Sequence, residues 1–119
     1  MKKIYTLFLI FTVTFTVAQN KDTKKADQLY HRMAYVDAAE AYQKLLKKGK
    51  ADRYVFEQLA NSYYFINDTK KAETYYKRVV KGKKVNPETV YNYAQSLKAN
   101  GKYSDYNEAM KTFAELAPT

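Results

Sequence analysis

The chain has no cysteine and a single histidine, His31. Without thiols there is no disulfide, no thiolate metal site and no lipid-modified cysteine behind an export signal. His31 has Arg32, Lys24 and Lys25 for neighbours and no carboxylate or nucleophile at catalytic spacing, so it reads as a surface helix residue rather than a base or a metal ligand. Glycine and proline are equally scarce, with three and two copies. That leaves no glycine-rich loop to cradle a phosphate. Glu57 and Glu88 are an acid pair able to face each other, but no apolar pocket shell or metal-ligand set accompanies them, so acid/base catalysis is not expected. The sequence therefore points to no catalytic residue, no cofactor and no metal.

Acidic residues are also in short supply, 12 against 21 lysines and arginines. Two of the lysines open the chain in Met1-Lys2-Lys3, the uncharged run Ile4 to Val17 follows, and Thr16-Val17-Ala18 offers small residues before Gln19. A positive start, a short apolar stretch and a small-residue site form a secretory signal peptide over residues 1–18. The run is too short for the roughly 20 residues of a spanning helix. Cleavage would leave residues 19–119 as one exported domain with no transmembrane span. Loss of Lys2 and Lys3 lowers the excess positive charge from nine to seven.

The remainder is organised around Arg53 to Val80. Phe56, Leu59, Ala60 and Tyr63 follow the i, i+3, i+4, i+7 spacing of one helical face. Asn67-Asp68-Thr69 breaks the pattern with side chains that favour turns and helix starts. Ala72, Tyr75, Tyr76, Val79 and Val80 then resume it, giving two helices in an antiparallel hairpin. A shift of 34 residues superposes like on like: Ala26, Ala60, Ala94; Leu29, Tyr63, Leu97; Tyr42, Tyr76, Met110; Leu45, Val79, Phe113. A fixed period of this length signals a repeat array. The pattern predicts an all-α chain, with helices near 23–33, 36–48, 52–66, 69–81, 87–99 and 103–116. Gly49 and Gly82 fall where a left-handed residue ends a helix, and Pro87 falls in a first helical turn. Tyr42, Tyr63 and Tyr76 are expected in the core with hydroxyls reaching its edge.

The same residues carry a resemblance to the tetratricopeptide repeat. Phe56, Leu59-Ala60, Tyr63, Ala72, Tyr76 and Val79 fill that motif in order. A third copy follows in Val90, Tyr93-Ala94, Leu97, Gly101, Tyr103, Met110, Phe113 and Pro118, and a first in Ala26, Leu29, Tyr35, Ala38, Tyr42 and Leu45. Asp22 stands at the large opening position of the first copy, so its first helix should start late. Tyr106 stands at the small position of the third, which should loosen that hairpin. The resemblance implies a right-handed superhelical array of three repeats, about 19–52, 53–86 and 87–119. It also implies a concave face lined at five helix A positions per repeat. Those are Thr23, Asp27, Tyr30 and His31; Tyr54, Glu57, Asn61, Tyr64 and Phe65; and Glu88, Tyr91, Gln95, Lys98 and Ala99.

Rigid rings interleaved with amides suit an extended segment of another protein, although the same rings would also serve to pack against a neighbouring domain. The carboxylate clamp known from such repeats is not expected. Asn61 and Asn92 occupy its two asparagine positions, but Glu57 stands where its lysine belongs.

Two further features keep the register. Lys47 and Lys81, and Lys50 and Lys84, are 34 apart, with Lys48 and Lys83 beside them, which predicts a basic edge. Lysines there complement helix C-termini or contact an anionic envelope polymer or lipid surface; the export signal argues against nucleic acid. Met110, Phe113 and Leu116 point to where a following helix would lie, an open end expected of the N-terminal part of a longer protein. Signal, Gln19 and a lysine- and tyrosine-rich repeat trio resemble the start of OmpA-family envelope proteins of Bacteroidetes, some of which belong to a secretion machinery. The expected function is a non-catalytic scaffold of the periplasm or outer membrane that docks a protein segment or neighbouring domain. The alternative is an electrostatic adaptor acting through the lysine edge.

Overall fold

The structure, a computed structural model, describes residues 22–82 and 84–118; the signal-peptide expectation for residues 1–18 lies outside them. Six helices follow in order: α1 (Lys24–His31), α2 (Tyr35–Lys47), α3 (Arg53–Phe65), α4 (Thr69–Val80), α5 (Pro87–Ala99) and α6 (Tyr103–Leu116). There is no strand among the described residues, and no helix there is long and apolar enough to cross a membrane. Each helix packs on its neighbour in sequence, and α3 also touches α5.

Local chemistry sets the helix boundaries. The Asp52 carboxylate accepts from the Val55 amide at 3.0 Å, Asp68 from Lys71 at 3.3 Å, and the Asn86 side-chain oxygen from Glu88 at 3.0 Å, each satisfying an orphan donor of a first turn. Pro87 opens α5, where its missing N–H costs nothing. The ends of α1, α3 and α5 repeat one device, with Met33 (φ 63°), Asn67 (φ 63°) and Gly101 (φ 79°) all left-handed and spaced by 34. After each of them the next amide reaches back to a helix carbonyl: Ala34 to Leu29, Asp68 to Tyr63 and Lys102 to Leu97, all at 2.9 Å. Gly49 ends α2 the same way at φ 71°. Gly82 does not. Its φ is not left-handed, and the nearest group to where a Cβ would stand is the Arg53 guanidinium at 2.9 Å, the end of a flexible side chain that can shift.

Asparagine and glycine tolerate this conformation, whereas methionine does so only under strain. The Met33 side chain is 75% exposed, so little packing offsets that strain. Met33→Gly is therefore expected to raise stability by about 0.5–1 kcal/mol, visible as a higher melting temperature.

The first core cluster joins the first four helices through Ala26, Ala38, Tyr42, Val55, Leu59, Ala60, Tyr63, Ala72 and Tyr76. Small residues lie where helices come closest: Ala38, Ala60, Ala72 and Ala94 are fully buried. Ser62 and Ser96 are buried too, and each hydroxyl donates to the carbonyl four residues back, at 2.7 and 2.9 Å. Between hairpins the Gln43 amide donates to the Tyr63 and Tyr75 hydroxyls at 3.1 and 2.8 Å. Asn100 and Lys102 reach the Glu73 carboxylate at 2.9 and 2.5 Å. The last hairpin has its own smaller cluster of Ala94, Leu97 and Ala109, with Tyr93, Tyr106 and Met110 packed against it. Tyr106 lies on that cluster under the Lys98 ammonium, which is 5.4 Å from its ring centre.

Candidate functional site

Helices α1, α3 and α5 turn side chains toward a shared cavity of about 210 Å³. It brings together five of the expected concave-face residues, Tyr30, Glu57, Asn61 and Phe65 with Glu88 from α5. Gln58, Asn86, Thr89 and Asn92 complete the wall. The Thr89 hydroxyl donates to Glu57 Oε1 at 2.8 Å and ties α5 to α3. Tyr30 and Phe65 form an aromatic corner with Tyr35, with ring centres 5.4 Å apart for Tyr30 and Tyr35 and 4.8 Å for Tyr35 and Phe65. Phe65 remains 47% exposed. Burial, with the nearby Tyr35 and the carboxylates Glu88 and Glu57, holds the Tyr30 hydroxyl above its usual pKa, so it stays a neutral donor.

The cavity floor rests on hydrogen bonds that also repeat. The buried Tyr42 hydroxyl donates to Asp27 Oδ1, and the buried Tyr76 hydroxyl donates to Asn61 Oδ1 at 2.5 Å, the same pairing 34 residues on. The third copy would be Met110 and Gln95, and a thioether cannot donate. Asp27 also accepts from Tyr54 at 2.9 Å. Burial, followed by that bond to a carboxylate, pushes the Tyr54 pKa up to about 12. Tyr54 thus closes the α1–α3 seam instead of lining the cavity. Asn61 is held at both ends, since its amide also reaches Gln58 Oε1 at 3.3 Å.

The other expected groove residues lie outside that cavity. Tyr64 is half-buried against the Tyr76 ring at 6.2 Å. Tyr91, 40% exposed, packs 5.3 Å from Phe113. Tyr91 and Phe113 border an adjoining apolar recess of about 390 Å³ with Pro87, Ala117 and Pro118, and Glu88 lines both spaces. Gln95 is half-buried, while Lys98 is exposed and turned to Tyr106. At the last hairpin Met110 is half-buried, Phe113 is committed to Tyr91, and Leu116 is 43% exposed. Lys47, Lys48, Lys50, Lys81 and Lys84 are all exposed, Lys50 pairs with Asp22 at 3.2 Å, and Lys83 lies outside the described residues.

A larger recess of about 440 Å³ lies between α1 and α2 over Ala26, Leu29, Ala41 and Leu45. Its rim balances Lys25, Lys44 and Lys48 against Asp22, Asp37 and Glu40, giving it no net sign. Among the described residues no group of histidines and carboxylates is placed to hold a metal ion.

Sequence reasoning singled out Asn92 only for the clamp, and passed over Gln58 and Thr89. A signal was present. Gln58 and Asn92 are one period apart, and Thr89 is polar at the position where the second hairpin has the buried Val55. No family model matches the chain, and no curated protein is significantly similar to it.

Proposed function

We propose that the chain is a non-catalytic scaffold, a tetratricopeptide-like superhelical array of three helical hairpins that docks an extended protein segment on the face shared by α1, α3 and α5. The 34-residue recurrence of helix starts (Tyr35, Thr69, Tyr103; Arg53, Pro87) and of the left-handed turns supports the repeat reading. The observation that carries the docking reading is the cavity itself, which gathers amides, carboxylates and a half-exposed ring from three different helices. A wall of that make-up can pair with a peptide backbone and anchor a side chain. The signal-like residues 1–18 and the resemblance to OmpA-family envelope proteins support a site of action in the periplasm or at the periplasmic side of the outer membrane.

A second reading keeps the lysine edge as an electrostatic adaptor to an anionic polymer or lipid surface. It is favoured by Lys47, Lys48, Lys81 and Lys84, which are exposed and have no ion pair among the described residues.

Peptides selected by phage display on the purified chain separate the two. Under the docking reading Phe65→Ala should weaken the selected peptides by about 30-fold, the equivalent of about 2 kcal/mol for an anchoring aromatic. Lys47→Glu with Lys81→Glu should leave them bound. The reverse pattern, with binding lost steeply as the Debye length falls to about 3 Å in 1 M salt, would favour the adaptor.

A further inference from the structure

The chain carries nine excess positive charges, yet the only charged residues at its α1–α3–α5 cavity are Glu57 and Glu88. Neither is paired with a lysine or arginine among the described residues. Resting on the docking reading above, we infer that this cavity receives a basic side chain, arginine or lysine, of the docked segment.

The hydrogen-bond bookkeeping sharpens the choice. Three of the four amide oxygens around the cavity are already in use, Asn61 Oδ1 by Tyr76, Gln58 Oε1 by Asn61, and Asn86 Oδ1 by the Glu88 amide, while Asn92 Oδ1 accepts no hydrogen bond among the described residues. Of the Glu57 carboxylate only Oε1 is engaged, by Thr89, and the Glu88 carboxylate makes no hydrogen bond within the described residues. The strongest acceptors left for an incoming group are therefore the charged ones, with Asn92 Oδ1 beside them as a neutral acceptor. They suit a cationic donor and repel an anion, and a charge-assisted bond of this kind is about twice as strong as a neutral one. The aromatic corner adds to this, because Tyr30 and Phe65 line the same cavity and a cation is drawn to the negative face of such rings. The volume also fits. About 210 Å³ corresponds to the space of roughly seven waters, enough for the side chain of an arginine. A planar guanidinium can bond a carboxylate with two donors while stacking on a ring, so arginine is preferred to lysine.

The test uses acetylated heptapeptide amides with the central residue fixed as arginine, lysine, citrulline, glutamine or glutamate and the flanking positions randomised, captured on the purified chain. The arginine and lysine pools should bind at least about 10-fold more than the glutamine and glutamate pools. Citrulline, which keeps the shape without the charge, should behave as glutamine. Glu57→Gln with Glu88→Gln should erase the difference, since glutamine keeps an oxygen for the Thr89 hydroxyl. Glu88→Lys should shift the preference toward glutamate, a gain that a damaged fold cannot produce. Pools that bind equally but lose binding with Phe65→Ala would overturn the basic-residue inference and leave segment docking intact. An arginine preference that survives the double glutamine variant would also overturn it. Absence of any Phe65-dependent binding would remove the docking reading and this inference with it.

Discussion

Truncating Tyr76 to alanine should come close to unfolding the protein. The ring is fully buried at the junction of α3 and α4 and packs against Tyr64 at 6.2 Å, and its hydroxyl donates to Asn61 at 2.5 Å. Removing a buried aromatic side chain costs about 3–5 kcal/mol through lost transfer energy and the cavity left behind. The whole stability of a domain is about 5–15 kcal/mol. For a domain of this size the melting temperature should fall by roughly 15–30 °C. Tyr76→Phe isolates the hydroxyl and should cost only about 1 kcal/mol. Tyr42→Ala, at the corresponding buried position one period earlier, should behave like Tyr76→Ala. Met110→Ala, at the half-buried third position, should cost clearly less. Thermal melts of the four variants check the order, and equal losses at all three register positions would contradict a core concentrated in the first four helices.

Ala60→Leu should cost about 1–3 kcal/mol by overpacking, because Ala60 is fully buried in the contact between α3 and α4 and has no space to release. The comparison that gives this meaning is at the other small position, where Ala38 and Ala72 are fully buried and the third hairpin has Tyr106. Ala72→Tyr should cost at least as much as Ala60→Leu. Tyr106→Ala should cost less than either, since Tyr106 is only half-buried on a cluster of three small and medium residues. Chemical denaturation with a single slope across the series reports these differences.

Much of this fold is written in short-range signals. Predicted helices α2 to α6 agree with the structure to within one residue at each end, because Asp52, Asp68, Asn86 and Pro87 act within a single turn and because buried alanines and tyrosines recur at 34. α1 is shorter than expected, 24–31 in place of 23–33, since Met33 takes a left-handed conformation that a methionine does not advertise. The Gly82 expectation failed for a related reason. A glycine permits a positive φ without requiring one, and Gly82 does not take it.

The site was legible in position more than in direction. Register assigns Tyr64 and Phe65 to the same surface, yet they are adjacent on α3, so their side chains diverge by about 100°. Tyr64 turns onto Tyr76 and only Phe65 reaches the cavity. Tyr91 does lie close enough to Tyr64 to help raise its hydroxyl pKa after burial, but its ring packs on Phe113 of α6 and not in the cavity. Such choices depend on how hairpins tilt against each other, which a period cannot encode. The carboxylates fared better. Glu57 and Glu88, read in the sequence both as an acid pair without supporting parts and as members of the concave face, do border one cavity.

Site-specific photo-cross-linking in cells that express the chain in its native compartment tests the docking claim most directly. Benzoylphenylalanine in place of Phe65 keeps an aromatic at the cavity mouth, and the same probe in place of Lys77, exposed on α4, samples a helix outside the cavity wall. The account predicts a discrete protein adduct from position 65 that is lost with Glu57→Gln and Glu88→Gln, and none from position 77. An adduct from position 77 and none from position 65 would contradict it.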